Sequence, residues 1–232
     1  MDPTKLDGVD GVWDARGRGV DLRSVQDGSA CVVVIDDDGE FRESVGRLLR
    51  AAGLNSRLFA SIADFLQSEP FEGPGCLVLD VRLPGQSGLD FQRDLAAGSP
   101  TMPIVFITGH ADIPTTVQAI RGGAIEFLTK PFRDQDLLDA VTAGLALDRQ
   151  RRANEAALSE IRARFDSLTP RERAVLFQVT KGRLNKQIAG EMGITETTVK
   201  VHRSNMMRKV KVGSVAELCR LVGKLAPYAE GR

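Results

Sequence analysis

Apolar and polar positions follow two different periods along the chain. Between residues 31 and 147, short apolar runs alternate with stretches whose apolar residues recur every three or four positions. The run CVVVI (31–35) ends in Asp36-Asp37-Asp38. A flanked run of this length, rich in β-branched residues, reads as a buried strand. Phe41, Val45, Leu48 and Leu49 follow at helical spacing, and Gly53 closes that helix. Further strands are predicted at CLVLD (76–80), PIVFIT (103–108) and AIEFL (124–128), with a weaker one at 56–59. Helices are predicted at 62–67, 89–95, 114–121 and 133–147. Strands alternating with helices in this way predict a doubly wound parallel sheet, a (βα)5 domain of the α/β class, spanning 31–147.

The second period is helical throughout. Residues 148–166 are dominated by Ala, Arg, Leu, Glu and Gln, with no Gly or Pro, and predict a helical linker. The alternative is a surface helix that ends in a hinge at 149–153. Residues 167–232 predict a small all-α domain of four helices. Thr169-Pro170 starts the first, with a capping hydroxyl and Pro at the first helical position. Asn185–Met192 is a short second helix that Gly193 breaks. Thr195 starts a third, running to about residue 209, and Ser214 caps a fourth that ends near 225. Helix, tight turn with Gly, helix is the helix-turn-helix pattern.

Charge sharpens this division. The net charge of zero conceals 13 Lys and Arg against 5 Asp and Glu in residues 168–232. The preceding 167 residues carry the opposite excess. A basic tail behind an acidic front points to nucleic acid as the tail's partner. Residues 1–29 are rich in Gly and Asp without apolar periodicity and read as a disordered extension, with Trp13 as the one feature suited to docking. The N-terminus has no signal-peptide pattern, and the run 31–35 is far short of the roughly 20 residues that span a bilayer. Cys31, Cys76 and Cys219 lack metal-ligand spacing and read as small buried apolar residues. A cytoplasmic, disulfide-free protein is expected.

Chemistry in a parallel sheet gathers at the carboxyl ends of its strands, where the strand order reverses. Four predicted strand ends here carry polar residues: Asp36-Asp37, Asp80, Thr108 and Lys130. Converging carboxylates repel one another and call for a cation, and a set of oxygen ligands with room for water suits Mg²⁺, or Mn²⁺. A metal with a lysine and a hydroxyl beside a carboxylate makes a phosphoryl-transfer site. Helix caps and a surface lysine would explain any one of these residues, but not four strand ends together.

These residues carry a resemblance. VVVIDDD, LVLDVRLPGQSGLDF, PIVFITGHAD and GAIEFLTKPF resemble the receiver domain of two-component response regulators. The spacings of 28 from Asp80 to Thr108 and 22 from Thr108 to Lys130 resemble the FixJ-like branch. The resemblance implies that Asp80 is the phosphoacceptor, and that Asp36 and Asp37 bind the metal with Asp80 and the Arg82 carbonyl. It also makes Thr108 the switch hydroxyl, Phe127 the switch aromatic and Lys130 the group that bonds the phosphoryl oxygen. Val117 and Ile120 are candidates for a dimer interface formed on activation, with core packing as the alternative. Catalysis in the ordinary enzymatic sense is not expected, only the receiver's own phosphoryl transfer and loss.

Residues 168–210 resemble the LuxR-type helix-turn-helix, and the likeness extends to about Val222. Asn185-Lys186 then open the scaffold helix, and the helix from Thr195 is the recognition helix. Lys200, Val201 and Ser204 are the candidates for base contact, because the early residues of such a helix meet base edges in the major groove. Lys186, Thr198, His202 and Arg203 are placed for phosphate contact. Met206 and Val210, with Ile188 and Met192, form the core-facing stripe. Leu184 departs from the family pattern, in which many members carry a small residue.

The whole then resembles a phosphorylation-controlled transcription regulator of the FixJ/NarL type. Its implied partners are a sensor histidine kinase, double-stranded promoter DNA, a second copy on phosphorylation, and RNA polymerase. Two other classes compete with this reading. A haloacid-dehalogenase-type phosphatase would use Asp36 as nucleophile, but needs an acidic strand end after the lysine; Asp134, Asp136 and Asp139 fall on a predicted helix. A phosphorylation-independent DNA binder with a vestigial receiver would not need the complete polar set.

Overall fold

The computed structural model describes residues 12–13, 19–20, 30–97, 102–110 and 112–229. Two short strands, β1 (Val12–Trp13) and β2 (Gly19–Val20), pair antiparallel. The remainder of 1–29, read from sequence as a disordered extension, lies outside the described residues. The chain divides into two compact units, Met1–Arg152 and Ala153–Arg232.

The first unit is built on a parallel sheet of β3 (Cys31–Ile35), β4 (Asn55–Phe59), β5 (Gly75–Asp80), β6 (Ile104–Thr108) and β7 (Glu126–Thr129). Their spatial order is β4-β3-β5-β6-β7. The order reverses between β3 and β5, which opens a crevice beyond the ends of those strands. The intervening helices are α1 (Gly39–Ala51), α2 (Ile62–Gln67), α3 (Gly88–Ala97) and α4 (Ile113–Arg121), and α5 (Asp134–Asp166) follows. β3, β5 and β6 are buried along their whole length, as their unbroken apolar runs require.

Strand alternation sends successive side chains to opposite faces. Val32, Val34, Val78, Val105 and Ile107 pack with Leu49, Leu137, Val141 and Leu145 on one face. Val33, Ile35, Leu77, Leu79 and Phe106 pack with Ile62, Phe91 and Ala119 on the other. Two glycines permit close approaches to β5. A Cβ on Gly88 would lie 2.4 Å from the Asp80 carbonyl oxygen, and one on Gly144 would lie 2.5 Å from Cys76 Sγ. Burial pushes the Cys76 thiol up to about 12, so it serves as packing.

Two expectations are revised. The last strand begins at Glu126, not at 124. Ala124 N–H closes back onto Ala119 O after the Gly122-Gly123 turn, and pairing starts only beyond it. The linker at 148–166 is helical, as expected: α5 runs unbroken for 33 residues, through the positions where a hinge was the alternative. Cys219 is exposed, unlike Cys31 and Cys76. Its neighbour Leu218 takes the core-facing position on its helix, and the 100° step per residue turns Cys219 away.

The second unit holds α6 (Pro170–Thr180), α7 (Asn185–Met192), α8 (Glu196–Val210) and α9 (Val215–Ala229). Thr169 caps α6 in a reciprocal capping box with Glu172. Gly193 adopts φ +63° to end α7, and Thr195 caps α8. Val175, Val179, Ile188, Val199, Met206, Val210 and Leu218 form the core. Buried Glu172 also accepts Lys209 Nζ at 2.7 Å, which ties the end of α8 to the start of α6.

Candidate functional site

The chain folds so that three of the four polar strand ends, Asp36, Asp80 and Lys130, bring their side chains together. Asp36 directly follows β3, Asp80 ends β5, Thr108 ends β6, and Lys130 directly follows β7. Asp36, Asp37 and Asp80 each offer a carboxylate oxygen, all within 4.8 Å of one another. Asp36 and Asp80 are buried, whereas Asp37 is exposed. The third aspartate of the run, Asp38, turns away from this cluster. Its side chain caps α1 by accepting from the Glu40 and Phe41 N–H groups.

Lys130 supplies the balancing charge. Its Nζ donates to Asp36 Oδ2 at 2.6 Å and to Asp80 Oδ2 at 3.0 Å. The remaining oxygens are also engaged: Asp36 Oδ1 accepts the Asp38 N–H at 2.9 Å, and Asp80 Oδ1 accepts the Arg82 N–H at 2.8 Å. Burial pushes the Asp36 carboxyl upward against the pull of Lys130. Desolvation works against the Lys130 charge, but the hydrogen bonds it donates to Asp36 and Asp80 outweigh that and raise its pKa, keeping the ammonium protonated. Phe41 lies against the same ammonium, its ring centroid 3.8 Å from Nζ. Sequence pattern marks Phe41 only as an apolar helix position; its place five residues after the first aspartate gives no chemical signal.

A set of carboxylate oxygens with an exposed face left for water fits a small hard cation such as Mg²⁺. Asp36, Asp37 and Asp80 would hold it. Their proximity to a lysine provides the charge pattern that phosphoryl oxygens require.

Thr108 and Phe127 stand apart from this cluster. The Thr108 hydroxyl donates to the His110 carbonyl at 3.1 Å and accepts the His110 N–H at 3.3 Å. Phe127 is half-buried and meets Phe106 at 6.3 Å between centroids. On α4, Ala119 faces the core, while Ile113, Val117 and Ile120 are exposed by 81%, 42% and 46%. Core packing, the alternative for Val117 and Ile120, does not describe them. Asp134, Asp136 and Asp139 lie on α5, not at a strand end, and Asp136 pairs with Arg133.

In the helical unit, Lys200, Val201 and Ser204 are exposed along the first half of α8, and Lys186 is exposed at the start of α7. Thr198, His202 and Arg203 are half-buried on the flanks of α8. Arg203 reaches across to α7, donating to Asn185 Oδ1 at 3.0 Å. This bond links two residues that the sequence pattern singles out separately. Met206, Val210 and Ile188 are buried, and Met192 packs against them, as the core stripe predicts.

Residues 32–142 match the model of the response regulator receiver domain, and residues 166–222 match that of the bacterial regulatory proteins of the luxR family. Nodulation protein W of Bradyrhizobium diazoefficiens is 46% identical over 211 residues, covering 91% of this chain and 92% of that protein. This chain belongs to the response regulators that join a receiver to a luxR-family domain. The response regulator protein TodT of Pseudomonas putida is 46% identical over 209 residues, covering 90% of this chain and 92% of its own. The solved structure of the response regulator StyR superposes with a TM-score of 0.77 at 50% identity, covering 84% of this chain and 99% of that one. In this response regulator the receiver match contains the acidic cluster, Thr108, Phe127 and Lys130. The luxR-family match contains α6, α7 and α8. Among the described residues no helix is long and apolar enough to cross a membrane.

Proposed function

We propose that Asp80 accepts a phosphoryl group from a partner histidine kinase, and that its phosphorylation pairs two receivers and promotes sequence-specific DNA binding. The observation that carries this reading is the convergence of Asp36, Asp37 and Asp80 within 4.8 Å beside Lys130. A carboxylate oxygen of Asp80 attacks phosphorus, and the new O–P bond forms as the P–N bond to the donor histidine breaks. The electron pair of that bond stays on the imidazole. Asp36, Asp37 and Asp80, with the Arg82 carbonyl, would hold Mg²⁺ or Mn²⁺, which would supply positive charge to the phosphoryl oxygens.

Lys130 then exchanges a carboxylate contact for a phosphoryl oxygen. The Thr108 hydroxyl leaves His110 and turns toward the new charge. Phe127 moves into the space that Thr108 vacates. The affected surface includes α4, whose Val117 and Ile120 are already exposed and form the seam between two copies.

Two receivers paired in this way present two recognition helices to two half-sites. Lys200, Val201 and Ser204 read bases, while Asn185, Lys186, Thr198, His202 and Arg203 hold the phosphate backbone. The regulator acts in the cytoplasm, most simply as an activator that engages RNA polymerase. The domains are the receiver at 31–147, the helical linker at 148–166 and the DNA-binding domain at 167–232.

The test is light-scattering mass in Mg²⁺, with and without beryllofluoride, on wild type and Asp80→Asn. Wild type is expected to shift from monomer to dimer with the mimic, and Asp80→Asn is not. An unchanged wild-type mass would sink the dimerisation step, and DNA affinity equal with and without the mimic would sink phosphorylation control.

A further inference from the structure

The ammonium of Lys130 carries three N–H donors, and two carboxylates account for two of them. Its remaining side meets an aromatic face. The Phe41 ring centroid is 3.8 Å from Nζ, within cation–π range, and the negative face of the ring attracts the charge. The ring is itself braced, since Phe132 meets it edge-on at 5.9 Å and 89°. Phe41, Pro131 and Phe132 line an open cavity of about 430 Å³ on this side of the receiver. The lysine therefore sits between a buried acidic pocket and an accessible aromatic wall.

We infer that Phe41 is a positioning residue for phosphoryl transfer: its ring face holds Lys130 Nζ at the mouth of the pocket, between Asp36 and Asp80. This role rests on the reading of Asp80 as the phosphoryl acceptor. Its logic is an exchange of partners. To bond a phosphoryl oxygen, Lys130 must loosen its hold on a carboxylate. A lysine held by carboxylates alone would be drawn down onto Asp36, its shorter contact. The ring contact can survive the exchange, because it depends on neither carboxylate bond. It also keeps water from the side of the ammonium it covers, so the charge reaches the phosphoryl oxygens unscreened. An aliphatic side chain of similar size would exclude water but offer the cation no attraction.

The test compares wild type with Phe41→Leu, Phe41→Trp and Phe132→Leu, using phosphoramidate and Mg²⁺. This donor is too small to dock on the aromatic wall as a protein would. Phosphorylation of Asp80 is read by intact mass as a function of donor concentration, and melting temperatures are recorded alongside. Phe41→Leu is expected to lower the saturated rate by about two- to thirtyfold. The half-saturating donor concentration should stay within about twofold, since the loss falls on the transferring group. Phe41→Trp should restore the rate, and Phe132→Leu, which leaves the ring over the lysine, should keep most of it. In wild type the Lys130 side-chain protons should resonate upfield through the ring current, and Phe41→Leu should abolish that shift. A Leu variant at the wild-type rate would overturn the role alone, as would a Trp variant as slow as Leu at unchanged melting temperature. A wild type that gains no phosphoryl group at Asp80 would overturn the acceptor reading and this role with it, even with the upfield shift present.

Discussion

Asp148 accepts the backbone N–H of Gly75 at 2.9 Å, although 73 residues separate them. The carboxylate is fully buried on α5, and Arg151 and Arg152, one turn further on, close over it. A buried charge of this kind survives only because it is paired and hydrogen-bonded on both oxygens. Asp148→Ala should destabilise the receiver by about 1–3 kcal/mol, chiefly through the orphaned Gly75 amide. Urea unfolding would measure the loss, and faster hydrogen exchange at Gly75 would localise it.

The same group predicts a pH dependence. Burial pushes the Asp148 carboxyl up, but hydrogen bonds from Arg152, the Gly75 N–H and Arg151 prevail and hold it below the ordinary carboxylate range. A carboxyl depressed in the folded state stabilises above its unfolded pKa, and that contribution is lost as pH falls through the folded one. Asp148→Asn should therefore be less stable than wild type near neutrality, and the gap should narrow in the acid range. Urea midpoints from neutral pH down into the acid range test this, and a constant gap would contradict it.

Leu184 stands at the N-cap of α7 with no side-chain acceptor, and only the Gln187 side chain reaches back to its N–H. It is 68% exposed, so little apolar burial is at stake. Leu184→Ser would supply the missing acceptor and should stabilise the helical unit by about 0.5–1 kcal/mol. Thermal melting of the variant checks the gain, and an unchanged or lower midpoint would assign Leu184 a packing role instead.

Lys186 and Lys200 separate two kinds of DNA contact. Lys186→Ala should weaken binding alike on all sequences and flatten the salt dependence by roughly one phosphate contact. Lys200→Ala should cost about 1–3 kcal/mol on the cognate site and little elsewhere. Titrations of specific and scrambled duplexes at several salt concentrations distinguish them, and identical behaviour of the two variants would refute the assignment.

The α4 surface gives a further test. Asp substitutions at Val117 and Ile120 should leave stability within about 0.5 kcal/mol, because both side chains are exposed. Phosphorylation of Asp80 should be unchanged, while the mass shift with beryllofluoride should disappear. Dimerisation that persists would move the interface to another face.

Much of this is legible in the sequence because burial imposes periodicity. The valines of β3 and the stripe of Ile188, Met206 and Val210 announce themselves by spacing. Asp36, Asp80, Thr108 and Lys130 stand out because sheet topology gathers strand ends. Asp148 does not, since an aspartate among arginines on a polar-looking helix carries no periodic sign of burial. Phe41 reads as core because spacing reveals which side a residue faces, not which atom it meets. The start of β7 is obscured for a similar reason. Ala124 and Ile125 look like strand residues, but a backbone bond to α4 claims Ala124 first.

The strand that carries Asp80 has no slack on either side. In front, Gly88 abuts the Asp80 carbonyl; behind, Gly144 abuts Cys76. Neither position admits even a methyl group without moving its neighbour. At Gly88 a single added carbon would meet the β5 backbone itself, and at Gly144 it would meet the buried Cys76 side chain that β5 carries. The geometry of the acidic pocket is thus guarded from outside the pocket, by two residues that have no side chain at all.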